Sequence, residues 1–188
     1  MTATIPITQD FLLTVDDYYK MAEVGIIPHD ARVELINGKI RYMSPINSFH
    51  SSVTDELFDI LAFELRGKAI IKCQNPVKIP NVSSPQPDLV VAKYYKHKYR
   101  KHHPGPEDVY LIIEVAQSSI KQDTGEKLQV YALAGIPEYW VVDLNEYQIR
   151  VYRQPDGDKY LFEQIIDENG VVGCETIDFQ MDMKEIFG

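Results

Sequence analysis

Two short apolar runs, each with one carboxylate, constrain this chain more than any other feature. Leu89-Val90-Val91-Ala92 follows Gln86-Pro87-Asp88, and Val109-Tyr110-Leu111-Ile112-Ile113-Glu114-Val115-Ala116 carries Glu114 among isoleucine and valine. Runs of this length, rich in β-branched residues, predict buried strands of a central sheet. An ionised carboxylate in such surroundings costs several kcal/mol unless a cation or a set of donors compensates it. Two of them on adjacent strands would repel unless a divalent metal sat between them. A metal site on Asp88 and Glu114 is therefore the leading expectation. The alternative is that Asp88 caps a turn and Glu114 pairs with a lysine.

The rest of the chain is compatible with one domain over residues 1–188, with 45% hydrophobic and 25% charged residues, ordinary for a soluble globular protein. No apolar run approaches the roughly 20 residues that span a bilayer. Met1-Thr2-Ala3-Thr4-Ile5-Pro6 lacks a basic region followed by an apolar stretch, so no signal peptide is expected. Cys73 and Cys174 stand far apart without metal-ligand spacing, which suits a reducing, cytoplasmic setting. No membrane partner is expected.

The net charge of −9 argues against broad coating of nucleic acid. Its distribution is uneven, however. From Leu89 to Pro106 there is no acid, while Lys93, Lys96, Lys98, Arg100 and Lys101 supply five cations. The remaining 14 basic residues face 28 acidic ones. Tyr94, Tyr95, His97, Tyr99, His102 and His103 are interleaved with these cations. Lys96, Lys98, Arg100 and Lys101 are thus candidates for contacting a nucleic acid, with the aromatics able to stack on bases. The alternative is a solvated connecting loop.

Local patterns complete an α+β reading, with a central mixed sheet flanked by helices and an antiparallel extension. Residues 11–27 predict a short helix capped by Thr14 and ended by Gly25. Asn37-Gly38 between Arg32–Ile36 and Lys39–Met43 predicts a hairpin. His50 to about Arg66 predicts a helix stopped by Gly67. Short strands are expected at Ala69–Cys73, Val77–Ile79, Glu138–Asp143, Tyr147–Arg153, Tyr160–Glu163, Val171–Val172 and Thr176–Phe179. Ser118 and Ser119 offer caps for a helix from Ile120 to Ala134, with Leu128, Val130, Tyr131, Leu133 and Ala134 on its apolar face. Met183–Phe187 predicts a terminal helical turn.

The ordered phrases Glu34-Leu35-Ile36-Asn37-Gly38 through Met43-Ser44-Pro45, His50, Pro87-Asp88-Leu89-Val90-Val91, Ile113-Glu114-Val115, Ser118-Ser119, Asp123, Lys127 and Ala134-Gly135-Ile136-Pro137-Glu138-Tyr139-Trp140-Val141-Val142-Asp143 resemble the Uma2 family of the PD-(D/E)XK nuclease superfamily, over roughly residues 11–180. The resemblance implies a restriction-endonuclease-like core and a DNA-hydrolysing site that uses Mg²⁺ or Mn²⁺. In that family pattern Asp88 and Glu114 match the metal ligands, the Val115 carbonyl is a third ligand, and a lysine orients water or steadies the phosphate. The lysine is where this chain departs, because Ala116 occupies the third position of the usual Glu-x-Lys triplet.

A lysine can reach the same point from the following helix. Lys127 is the first choice and Lys121 the second. Asp123 and Lys127, four apart, could equally form a surface pair. Glu34 and His50 are accessory candidates, and Gln117 ranks low because strand alternation points it away from Ala116. Trp140 and Tyr139 read as core. The expected function is a Mg²⁺-dependent DNA endonuclease; the alternatives are an RNA-directed nuclease and an inactive nuclease fold used for nucleic-acid binding or assembly. A homodimer suits duplex cleavage, although no residue pattern specifies one.

Overall fold

The computed structural model describes residues 10–188, so the expectation placed on Met1–Pro6 lies outside the described residues. Helix α1, Val15–Glu23, starts where the sequence indicates. Thr14 and Asp17 form a reciprocal capping box, which satisfies two backbone donors at once. Strands β1, Val33–Ile36, and β2, Lys39–Tyr42, form an antiparallel hairpin. Its turn residues Asn37 and Gly38 both have positive φ, 49° and 71°, matching the right-handed twist of the flanking strands. Helix α2, Ser48–Glu64, is capped by the Asn47 side chain, and Gly67 with φ 81° follows its end.

Six further strands form one sheet in the order β3-β4-β5-β6-β7-β8. They are Ala69–Cys73, Leu89–Lys93, Val109–Ala116, Glu138–Asp143, Gln148–Asp156 and Lys159–Asp167. Only β5 and β6 run parallel. A parallel neighbour requires a crossover, supplied by α3 (Ile120–Gln122), a π-helical segment (Asp123–Lys127) and α4 (Leu128–Leu133). A small hairpin of β9 (Val171–Cys174) and β10 (Phe179–Asp182) and the terminal α5 (Lys184–Phe187) complete the chain.

The sheet separates two apolar clusters. On one face Val53, Leu57 and Leu61 of α2 pack with Leu111, Ile113 and Val115 of β5, Trp140, and the β9–β10 hairpin. On the other, Val130 and Tyr131 of α4 pack with Ile112, Ala116, Tyr139 and Val141. Alternate residues of β5 thus serve opposite faces, and Glu114 falls on the crossover side with Ile112 and Ala116. The mixed sheet, its helices and the antiparallel extension are the α+β architecture that the sequence predicts.

Several local expectations are corrected. Val77–Ile79 makes only an isolated bridge between Ile79 and Ser83; Pro76 and Pro80 flank it, and proline cannot donate to a ladder. Cys174 faces Phe179, so Thr176 lies in the hairpin turn and β10 begins where the predicted strand ends. The helix over 120–134 is interrupted by the π segment, Leu133 is 65% exposed, and Ser119 makes no side-chain cap.

One buried ion pair belongs wholly to the scaffold. Glu138 opens β6 opposite Arg153 of β7 and is fully buried. Its Oε1 accepts from Trp140 Nε1 at 2.7 Å and Arg153 Nε at 3.0 Å, and its Oε2 accepts from the Glu175 amide at 2.8 Å. Arg153 also donates to Glu175 and to the Gly173 carbonyl.

Candidate active site

Antiparallel pairing of β4 with β5 sets Leu89 against Ile113. Continued by one residue, that register puts Asp88 opposite Glu114, on the same face, where directly opposed Cβ atoms lie about 5 Å apart. The Val115 amide donates to Asp88 Oδ2 at 2.9 Å, so the strand end anchors the Asp88 side chain. His50, in the first turn of α2, places Nε2 3.2 Å from the same oxygen, and Thr54 caps the His50 carbonyl at 2.7 Å.

The crossover brings Lys127 down onto this pair. Its Nζ lies 3.0 Å from Glu114 Oε1, 3.2 Å from Glu34 Oε1 and 3.8 Å from Asp123 Oδ1. Asp123 and Lys127 are both buried, at 2% and 5% exposure, which overturns the surface-pair alternative. The two residues bound the π segment, whose wider turn carries an extra residue; the side chains between them are only half-buried. Tyr139 donates to the Asp123 carbonyl at 2.9 Å and holds the start of that segment against the sheet.

Glu34 arrives from β1, buried at 2% exposure. Its Oε2 accepts from the Gln86 amide at 3.0 Å. Tyr131 of α4 donates its hydroxyl to Glu114 Oε1 at 2.8 Å. Both donors to Glu114, Lys127 and Tyr131, therefore meet Oε1, and Oε2 has no hydrogen-bond donor among the described residues. Asp88 and Glu114 line a shared cavity of about 60 Å³, room for a few ordered waters. Exposed Asn47 and Gln117 form part of its rim, joined by a 2.6 Å hydrogen bond.

The electrostatics are lopsided. Glu34, Asp88, Glu114 and Asp123 line the cavity with Lys127, Arg32 and His50; with all four acids ionised, Lys127 and Arg32 leave two negative charges uncompensated, and a protonated His50 leaves one. Burial pushes the Glu114 carboxyl well up, against the pull of Lys127, and Asp123 and Asp88 add to the rise. Asp123 is carried up to about 6 by burial, again opposed by Lys127. Burial would lower the Lys127 ammonium, but Glu114, Glu34 and Asp123 outweigh it and raise it, so Lys127 stays protonated. Burial also lowers His50, yet its bond to Asp88, that charge and the Val115 carbonyl leave it above the ordinary imidazole value.

This donor set fits a divalent cation of the magnesium kind. Among the described residues no three His, Cys, Asp or Glu side chains could hold a metal by themselves. Magnesium asks for less: one or two carboxylates and several waters. The unpartnered Glu114 oxygen, the neighbouring Asp88 and the surplus negative charge supply that. Val115, whose amide holds Asp88, lines the same cavity.

Other candidates are placed elsewhere. Lys121 is exposed and lines a separate depression with Arg41 and Glu126. Lys96, Lys98, Arg100 and Lys101 follow the far end of β4, which its five residues at about 3.3 Å each carry roughly 16 Å from Asp88, and none of the four lines the cavity. The structure does not bring them to the cavity. Sequence reasoning passed over Tyr131, Gln122, Asn47 and Arg32, and ranked Gln117 low. Gln122 donates to Glu34 at 3.4 Å.

A mixed sheet with a helical crossover, carrying opposed acids and a lysine at the end of its central strands, defines a restriction-endonuclease-like fold. The chain belongs to the Uma2 family, described as "Putative restriction endonuclease", whose sequence profile matches residues 15–184. It is similar in fold to the crystal structure of a putative nuclease belonging to DUF820 from Anabaena variabilis ATCC 29413. That likeness has a TM-score of 0.70 and 18% identity, covering 93% of this chain and 97% of the other. The type IIG restriction endonuclease BpuSI shares 18% identity over 69% of this chain and 15% of its own, with a TM-score of 0.40, too loose to carry an argument. No curated protein matches the chain. Among the described residues no helix is long and apolar enough to cross a membrane.

Proposed function

We propose that the chain is a Mg²⁺-dependent endonuclease that hydrolyses phosphodiester bonds in DNA, with Mn²⁺ able to replace Mg²⁺. Asp88, Glu114 and the Val115 carbonyl would hold the ion. When bound, it would offset charge on the phosphate and lower the pKa of a coordinated water. The observation that carries this reading is the 3.0 Å contact between Lys127 and Glu114: the crossover supplies a lysine where Ala116 leaves the strand without one.

Lys127 acts as a fixed positive charge. Held protonated by its three acidic neighbours, it cannot accept a proton, so its part is to orient water and to stabilise negative charge on the phosphate. Glu34 and Asp123 fix the ammonium in place, and Tyr131 fixes Glu114. Asn47 and Gln117 offer amide donors at the rim. Lys121 has no part in this arrangement. Lys96, Lys98, Arg100 and Lys101 would contact the nucleic acid away from the scissile bond. One cavity cuts one strand, so duplex cleavage would require a homodimer, and the reducing compartment inferred from the two thiols would be the cytoplasm.

A second reading keeps the fold without the chemistry. Ala116 and the full engagement of Lys127 by three carboxylates favour a binding or assembly role. Calorimetry separates the two. Wild type should bind Mn²⁺, and Asp88→Ala and Glu114→Ala should abolish binding; equal binding by all three proteins refutes the metal site. Metal-dependent nicking of plasmid DNA by wild type, lost in Lys127→Ala with metal retained, would support catalysis. Cleavage of structured RNA in place of DNA would correct the substrate.

A further inference from the structure

An acidic cavity that is to receive a phosphodiester needs, besides the buried Lys127 at its floor, a cation at its mouth that is free to meet the incoming backbone. Lys127 is 5% exposed and engaged by three carboxylates. His50 is engaged by Asp88. The remaining cation lining the cavity is Arg32.

Arg32 differs from other arginines near the site. It is exposed, and among the described residues no carboxylate lies within ion-pair distance of it, whereas Arg41 is tied to Glu126 at 3.0 Å. Its placement follows from the hairpin. The Met43 amide donates to the Arg32 carbonyl at 3.0 Å, extending the Val33–Tyr42 register by one pair. Arg32 therefore shares a strand face with Glu34, about 7 Å away along the chain at two residues' rise. The same strand sends Glu34 to the floor of the cavity and leaves Arg32 at its mouth. A guanidinium in that position, unpaired and beside a surplus of negative charge, is matched in shape and sign to a phosphate.

We propose that Arg32 is the phosphate-binding residue of this site, donating to non-bridging oxygens of the nucleic-acid backbone as it enters the cavity. This rests on the nuclease reading above and deepens it. Arg32 recognises the backbone, not the bases, so its contribution is independent of sequence.

The test uses the whole protein and a fluorescently labelled DNA duplex, with Ca²⁺ in place of Mg²⁺ to hold the complex without turnover. Arg32→Ala should weaken binding by roughly tenfold or more, as expected for a lost charge-assisted contact. Arg32→Lys should recover part of the loss, and Arg32→Glu should deepen it. Mn²⁺ affinity and thermal midpoint should be unchanged in Arg32→Ala, since the side chain is exposed. DNA binding by Arg32→Ala equal to wild type would overturn the assignment and leave the nuclease reading standing. A loss of DNA binding accompanied by an equal loss of Mn²⁺ affinity would also overturn it. Absence of DNA binding by wild type would overturn both.

Discussion

Two buried glutamates on neighbouring strands solve the same problem in opposite ways. Glu138 on β6 meets one arginine, one indole N–H and one backbone amide, and both its oxygens are used. Glu114 on β5 shares one lysine with Glu34 and Asp123, lies beside Asp88, and keeps one oxygen without a donor among the described residues. The first is a closed network inside the scaffold. The second is charged in excess and bordered by a cavity. Buried carboxylates that are fully satisfied rigidify a fold; one left short of donors beside a pocket is the feature on which the proposed cation site rests.

The largest expected effect tests the closed node. Arg153→Ala strands a fully buried Glu138 and should destabilise the protein by about 3–5 kcal/mol in urea unfolding. A change below about 1 kcal/mol would show that the pair is not carrying the strand ends together. At the open node the sign reverses. Glu114→Gln removes a charge the fold holds poorly, and should raise stability by about 1 kcal/mol while eliminating Mn²⁺ binding, the usual trade between activity and stability. A loss of stability there would mean that Lys127 compensates Glu114 as fully as Arg153 compensates Glu138.

Smaller effects sharpen the contrast. Tyr131→Phe removes one donor to Glu114 without changing shape, and should lower stability by about 1 kcal/mol and weaken Mn²⁺ binding several-fold. Unchanged Mn²⁺ affinity would make the tyrosine a packing residue alone. The pH profile offers a further reading. Asp123 has a folded value of about 6 against an ordinary 3.8, so the folded state keeps its proton longer, and stability falls as pH rises through that interval. Asp123→Asn should flatten this fall; an unaltered profile would shift it to another acid. Neutralising Lys96, Lys98 and Lys101 together should have the smallest effect, a shallower salt dependence of DNA binding with Mn²⁺ affinity untouched.

What the sequence revealed follows the range of the interactions. The Asn37-Gly38 turn, β5 from Val109 to Ala116 and the Asp88–Glu114 pairing are set by local geometry and strand alternation, and they are legible in the residues. Contacts between the crossover and the sheet are legible only in part: the choice of Lys127 rests on the family resemblance, and the contacts of Tyr131 and Asp123 have no sequence signal. Lys127 reaches Glu114 through a π turn, and no local signal distinguishes Asp123-Thr124-Gly125-Glu126-Lys127 from an ordinary helix. Gln117 ranks low in the sequence because alternation is carried past Ala116, where β5 ends; beyond the strand the two-residue period no longer applies. Leu133 falls on the apolar face by uninterrupted helix spacing, but the π segment breaks that spacing and Leu133 is exposed. The charge run at 93–101 reads clearly as basic, but its separation from the cavity depends on strand direction.

The lysine contact also bears on when this site can exist during folding. Glu34 and Lys127 meet across 93 positions of chain, and Glu114 joins them only after β5 and the crossover have docked. Bringing together segments so distant carries a large loop-closure entropy and is slow relative to helix or hairpin formation. Under the proposed metal-binding role, Mn²⁺ binding would appear in a refolding chain only once these segments have docked. Under the same proposal, partly formed chains could not cleave, and the appearance of Mn²⁺ binding would report the docking step.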